Sequence, residues 1–169
     1  MRDGSKGRGM AAVKTVSHQL YIDLPPEAVW NKMRDLTLAT YYVPGVKETW
    51  LTTDQREGVG ASRKVRMQNG DVMDETVVEW TEGRGFVVRL HKEGKPALPL
   101  FQECSFRYEI EPAGNRTLFK PAMHFETKPG IFSGLLGAIA SIPMRMMVRK
   151  VGVAMKQFYE AGGTPTVTN

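Results

Sequence analysis

Residues 14–22 alternate, with Val16, His18, Leu20 and Ile22 on one face and Thr15, Ser17, Gln19 and Tyr21 on the other, which predicts a strand. Pro25 and Pro26 then suit a first helical turn, Glu27 suits the positive end of its dipole, and Val29, Trp30 and Met33 form an apolar stripe. A Val-Pro-Gly corner at 43–45 stops this helical region. Extended segments follow at 46–53, 61–68, 72–80, 85–91, 101–110 and 117–125, separated by turn signals at 57–60, 69–71, 82–83, 93–96 and 112–115. The sharpest of these is Asn69-Gly70, which predicts a two-residue type I′ hairpin.

The chain closes on helical periodicity. Met144, Met147, Val148, Val151, Met155 and Phe158 share one face, and Arg145, Arg149, Lys150 and Lys156 fall elsewhere. Pro143 predicts a break, giving a short apolar helix at 131–141 and a longer one at 143–160. The order implies an α+β fold, a curved seven-stranded antiparallel sheet wrapped round a long C-terminal helix with two short helices after strand 1. A sheet that curls round one helix leaves a hollow beside it. The early helix, with Trp30 and the 41–45 corner, is expected to seal the side that the long helix does not reach.

Composition narrows the class. The 169 residues, 41% apolar and 24% charged, suit one domain at 13–161, with flexible tails at 1–12 and 162–169. The start has no apolar stretch of signal-peptide type. The single Cys104 excludes an internal disulfide and a Cys-rich zinc site, which points to a reducing, cytoplasmic setting. Net charge is +5, but Arg2, Lys6 and Arg8 against Asp3 contribute +2 of it, and outside the far C-terminal region no basic cluster interleaved with aromatics marks a nucleic-acid binder. Residues 129–144 are sixteen in a row without a charge. They fall short of the ~20 apolar residues of a membrane span, so a buried helix segment is expected there.

Three motifs now stand together: Pro-Pro-Glu-Ala-Val-Trp at 25–30, Pro-Gly-Val at 44–46, and Gly-Val-Gly-Ala-Ser-Arg at 58–63 ahead of a strand carrying Glu75 and ending Glu79-Trp80. From about Val13 to Tyr159 the chain resembles the polyketide cyclase/dehydrase and lipid-transport branch of the START-like, or SRPBCC, superfamily. The resemblance implies a helix-grip fold whose cavity, between sheet and C-terminal helix, takes up apolar small molecules. It also implies that Glu75 matches an acidic strand position that faces the ligand in some relatives, and that Val65 and Met67 match inward positions.

Alternation supports Val65 and Met67 but leaves Glu75 open between the cavity, solvent and a pairing with Arg63, with Met73, Glu75, Val77 and Glu79 on one face. It assigns Phe86, Val88 and Leu90, then Cys104, Phe106, Tyr108 and Ile110, then Phe119, Met123 and Phe125, to the inner surface. The expected ligand-binding set is Val65, Met67, Glu75, Val77, Val88, Phe101, Phe106, Tyr108, Met123, Met147, Val148, Val151 and Met155. The Met residues at 123, 144, 146, 147 and 155 suit an adaptable lining. In the segment 91–101, Leu98, Leu100 and Phe101 suggest a lid.

His18, His91 and His124 lie on separate strands with no metal-ligand or triad spacing, and Cys104 has no cationic neighbour, so no catalytic residue, metal or cofactor is assigned. The expected partner is a small hydrophobic molecule, bound by a carrier or sensor that is a monomer or weak dimer. The alternative is a cyclase, aromatase or dehydratase with Glu75 as general acid or base and Tyr108 or Arg63 steadying an enolate. A third reading has Leu98–Phe101 and the basic helix 145–156 touching a membrane surface or a protein.

Overall fold

The computed structural model describes residues 11–130 and 132–162. The tails expected at 1–12 and 162–169 lie outside the described residues except at 11, 12 and 162. Ala12 is held in place: its N–H donates to Thr127 Oγ1, and its carbonyl accepts from the Thr127 N–H.

The elements run β1 (Val13–Ser17), β2 (Leu20–Ile22), α1 (Pro26–Met33), a 3₁₀ turn (Leu36–Leu38) and α2 (Ala39–Tyr42). Eight strands follow, β3 (Val46–Leu51), β4 (Ser62–Met67), β5 (Val72–Thr81), β6 (Gly85–Lys92), β7 (Lys95–Pro96), β8 (Phe101–Ala113), β9 (Arg116–Phe119) and β10 (Ala122–Thr127), and then α3 (Ser133–Glu160). The main sheet path is β1-β10-β8-β6-β5-β4-β3 and every pair is antiparallel. The expected helix-grip architecture is therefore present, with ten strands in place of seven.

The additional strands come from two breaks and a hairpin. The strands expected at 14–22 and 117–125 each divide, and the breaks face one another, because the His18 N–H donates to the Pro121 carbonyl at 3.0 Å. Pro121 has no N–H to continue a ladder, so β1 pairs with β10 while β2 pairs with β9. The hairpin adds β7, paired with the end of β6.

Its turn corrects the expectation for Asn69-Gly70. Positive φ at two successive residues, the requirement of type I′, occurs at Glu93 (52°) and Gly94 (80°) between the paired Lys92 and Lys95. At 67–71 only Gly70 has positive φ (92°), and the bonds Gly70 N–H to Met67 O and Met67 N–H to Asp71 O describe a type I turn closed by a glycine bulge.

Two further corrections concern phase. Register shifts between Val77 and Glu79 on β5, so the bulge at Val78 sends Glu79 outward to Arg107 and brings Trp80 toward Phe86, where the two rings stack 5.5 Å apart. And α3 is one helix, with Pro143 inside it rather than between two helices. The only backbone acceptor Pro143 deprives is the carbonyl of Ile139, an exposed residue where water can take the place of the missing N–H.

The helix does not cover the sheet evenly. It packs mainly on β1, β10 and β2 and against α2. Close approach is set by Gly152, where a Cβ would stand 2.8 Å from Leu20 Cδ2. Just past the C-terminal end of α3, α1 closes that end of the sheet, with Lys32 Nζ donating to the Gly162 carbonyl at 2.7 Å. Trp30 is buried, meets Trp80 edge to face at 5.0 Å, and donates Nε1–H to Glu82 Oε1 at 3.0 Å. Glu82 also accepts from Trp80 Nε1 and Arg34 Nη1, so the β5–β6 turn is clamped onto α1. Fully burying an indole of this kind stabilises by roughly 3 kcal/mol from area alone.

Candidate functional site

Where α3 leaves the sheet, between the helix and β4, β5 and β6, a cavity of about 310 Å³ remains. Val65 and Met67 of β4, Met73 and Glu75 of β5, and Leu90 of β6 form one wall. Phe106 and Tyr108 of β8 with Met123 of β10 form the floor, and Pro143, Met144, Met147 and Val151 of α3 form the roof. Val43, Pro44 and Val46 of the Val-Pro-Gly corner close one side, and Leu98 reaches in from the loop after β7. The corner thus stops the helical region and turns the chain into the cavity rim.

Eight of the expected ligand contacts meet here: Val65, Met67, Glu75, Phe106, Tyr108, Met123, Met147 and Val151. The other five do not line the cavity. Val77 and Val88 pair across β5 and β6, Phe101 packs edge to face on Phe125 at 5.3 Å, and Val148 and Met155 are fully buried in the core. Alternation and helical periodicity report only which face points inward, and part of an inward face fills solid core. Val43, Pro44, Val46, Met73 and Pro143 were missed as lining. A signal existed for Met73, which shares the face of Glu75.

Leu98 is half-buried, Leu100 is exposed and Phe101 is part of the packed wall, so only one of the three lid residues reaches the cavity. A second hollow of about 470 Å³ shares Met67, Met73 and Leu98 with the cavity and opens past the 68–71 turn.

The polar groups of the lining are Glu75 and Tyr108. Glu75 is 7% exposed and Arg63, opposite it in register on β4, is 1% exposed. Arg63 Nε donates to Glu75 Oε2 at 2.7 Å and Nη2 pairs with the same oxygen, while Nη1 donates to the Leu36 carbonyl at 2.5 Å. Of the readings open for Glu75, solvent exposure is therefore excluded, and the residue both pairs with Arg63 and faces the cavity. Burial works against the Arg63 charge, but Glu75 and the nearby phenols outweigh it and hold the guanidinium pKa above its ordinary value.

Three tyrosines surround this pair. Burial pushes the phenols of Tyr42, Tyr108 and Tyr159 above their ordinary pKa, so they remain neutral hydroxyls near pH 7. The Tyr42 and Tyr159 hydroxyls are buried without a hydrogen bond of ordinary geometry among the described residues. An aromatic chain, Trp30–Trp80–Phe86–Tyr108–Phe106 with neighbouring centroids 4.7 to 5.5 Å apart, links the α1 clamp to the cavity floor.

Cys104 is a buried, free thiol whose pKa is raised from 9.0 to about 12, first by burial and then by the Glu103 charge, as expected of an inert side chain. Among the described residues no helix is long and apolar enough to cross a membrane.

An apolar cavity with one buried ion pair, held between a curled sheet and a C-terminal helix, can be set beside known proteins. Residues 14–159 match the family described as polyketide cyclase/dehydrase and lipid transport. The chain belongs to that family. No curated protein matches the sequence. Among solved structures, norcoclaurine synthase from Thalictrum flavum in complex with dopamine and hydroxybenzaldehyde aligns with a TM-score of 0.66 at 16% identity, over 98% of this chain and 99% of that one. A protein from Thermus thermophilus aligns at 0.65 and 21% identity, over 89% and 100%. A START superfamily protein from Mycobacterium smegmatis aligns at 0.65 and 15%, over 87% and 97%. At these identities the likeness establishes the fold, and this polyketide cyclase/dehydrase and lipid-transport member must be given its function from its own cavity.

Proposed function

We propose that this family member binds a small hydrophobic molecule, of lipid, quinone or polyketide-like character, as a carrier or sensor in a reducing compartment. The observation that carries this reading is the cavity: about 310 Å³, at the lower end of the ~300–1,000 Å³ range of small-molecule sites, with apolar side chains on all sides and polar groups only at Glu75 and Tyr108. Binding is then driven by apolar burial, and the Tyr108 hydroxyl and the free lone pairs of Glu75 orient one polar end of the guest.

The cyclase or dehydratase alternative needs a carboxyl free to give and take a proton. Glu75 Oε2 instead accepts from Arg63 Nε and is ion-paired with the same guanidinium, which favours a structural and orienting role. Native mass spectrometry of freshly purified protein tests the proposal. One retained apolar molecule per chain is the expected result. An empty chain that also refuses fatty acid and naphthoquinone probes contradicts it, and turnover of a polyketide-like substrate would replace binding by catalysis.

A further inference from the structure

The charge-free run at 129–144 was expected to be buried, and the structure corrects that. Phe132, Leu135, Ile139, Ile142 and Met146 are 73, 61, 59, 67 and 55% exposed. Their spacing of three, four, three and four residues places all five on one outward ridge of α3 and its lead-in. Five large apolar side chains in a row on a solvent face are more than scattered surface residues and mark an interaction surface.

The charges around the ridge identify what covers it. Between Glu126 and Glu160 the chain has no acidic residue, while Lys128, Arg145, Arg149, Lys150 and Lys156 are basic. Arg149 and Lys150 continue the ridge one turn beyond Met146, Arg145 borders it, and none of these three has an ion-pair partner among the described residues. Two copies of this face would set cations against cations, and the single acid of the helix, Glu160 at its last position, is already engaged by Lys156 and the Asp23 N–H. An anionic partner is the complement.

The ridge also adjoins the site. A hollow of about 510 Å³ lined by Met146, Arg149, Lys150 and Val153 shares Pro44 with the cavity rim, and Pro143 and Met144 line the cavity from the same helix. The exposed Leu100 is held beside the start of this segment by a bond from the Lys128 N–H to its carbonyl at 3.4 Å.

We propose that the outer ridge of α3, with the Arg145, Arg149 and Lys150 cluster, docks on an anionic lipid bilayer and so brings the rim of the cavity to the membrane surface. The apolar ridge lies among the acyl chains near the interface and the cations meet the headgroups, as in interfacial amphipathic helices. The proposal does not depend on which molecule the cavity binds, since it concerns the opposite face of the helix.

Flotation with vesicles of phosphatidylcholine alone, or with about one-third phosphatidylglycerol, tests it. The intact chain is expected to float with the anionic vesicles and to be released by high salt. Ile139→Glu with Ile142→Glu should reduce flotation by about tenfold or more, and Arg149→Gln with Lys150→Gln should abolish the preference for phosphatidylglycerol. All four positions are exposed, so thermal melting should not change; if the first pair fails to fold, Leu135→Glu with Met146→Glu must give the same loss. Absence of flotation with both vesicle types, or flotation unaffected by the apolar substitutions, overturns the proposal. A dimer in sedimentation equilibrium that the same substitutions dissociate would also overturn it, in favour of a second copy on this face.

Discussion

The two halves of α3 illustrate opposite uses of the same apolar residue types. In the C-terminal half, Val148, Val151, Met155 and Tyr159 are buried, Gly152 allows close approach to Leu20, and Glu160 accepts from both the Asp23 N–H and Lys156. Around the middle of the helix Met144, Met147 and Val151 face a cavity, and in the N-terminal half Ile139, Ile142 and Met146 face outward. Both ends of the helix touch the sheet, Gly137 beside Lys14 and Thr127 and Gly152 beside Leu20, and the stretch between them spans a gap. Stability therefore resides at the two contacts, and room for a guest between them. A fold holds such a cavity open only if the surrounding frame is rigid, and the Trp30–Glu82 clamp and the Arg63–Glu75 pair both tie that frame across elements.

The largest effect is expected at the packed end. Trp30→Ala removes the ring beneath Trp80 and takes one of the two indole donors from Glu82, so urea unfolding should show a loss of about 3 to 5 kcal/mol. A loss below ~1 kcal/mol would mean that α1 does not clamp the sheet.

The next expected effect lies at the boundary between the halves. Glu75→Gln reads in sequence as a conservative swap, but it leaves the Arg63 guanidinium buried without its counter-charge, and roughly 3 kcal/mol of stability should be lost. Replacing both, as Arg63→Met with Glu75→Leu, should recover most of that loss. If the single variant is as stable as the parent, the pair is not what fixes β4 to β5 at the cavity wall.

At the hollow end the effects should be smaller. Met147→Trp inserts bulk where there is space, so its cost should stay within ~1 to 3 kcal/mol while uptake of an apolar probe falls. Strong destabilisation with no probe bound by the parent would mean a filled core.

The smallest effect distinguishes the halves least. Cys104 titrates at 9.0 ordinarily and near 12 in the fold, so its contribution is complete below about pH 9 and is lost as pH rises toward 12. The raised phenols of Tyr42, Tyr108 and Tyr159 act in the same direction. Unfolding followed from pH 8 to pH 12 should therefore show declining stability, and thiol reagents at neutral pH should not modify native Cys104.

How much of this was legible in the sequence differs between the two ends. Strands and inward faces follow from a period of two, and Val65, Phe106, Tyr108 and Met123 came out of that pattern together with the family resemblance. The bulge at Val78 carries no such signature, and it reversed the faces of Glu79 and Trp80. The type I′ turn at Glu93-Gly94 was concealed because Glu is rarely at positive φ, whereas Asn69-Gly70 offered the expected residues. The run at 129–144 was misread as buried because it has no charged side to orient it; its outer ridge depends on where the helix leaves the sheet. For the same reason, Val77, Val88 and Val148 could not be separated from true cavity lining by pattern alone.

The central claim, that the gap beneath the middle of α3, lined by Met144, Met147 and Val151, is a ligand site, is tested most directly by titrating a fluorescent fatty-acid probe into the parent protein and Val151→Trp, with melting curves for both. The account predicts saturable binding of one probe per chain to the parent and at least about tenfold weaker binding to the variant, which should remain folded. Equal affinity in the two folded proteins would place the probe elsewhere and contradict the claim.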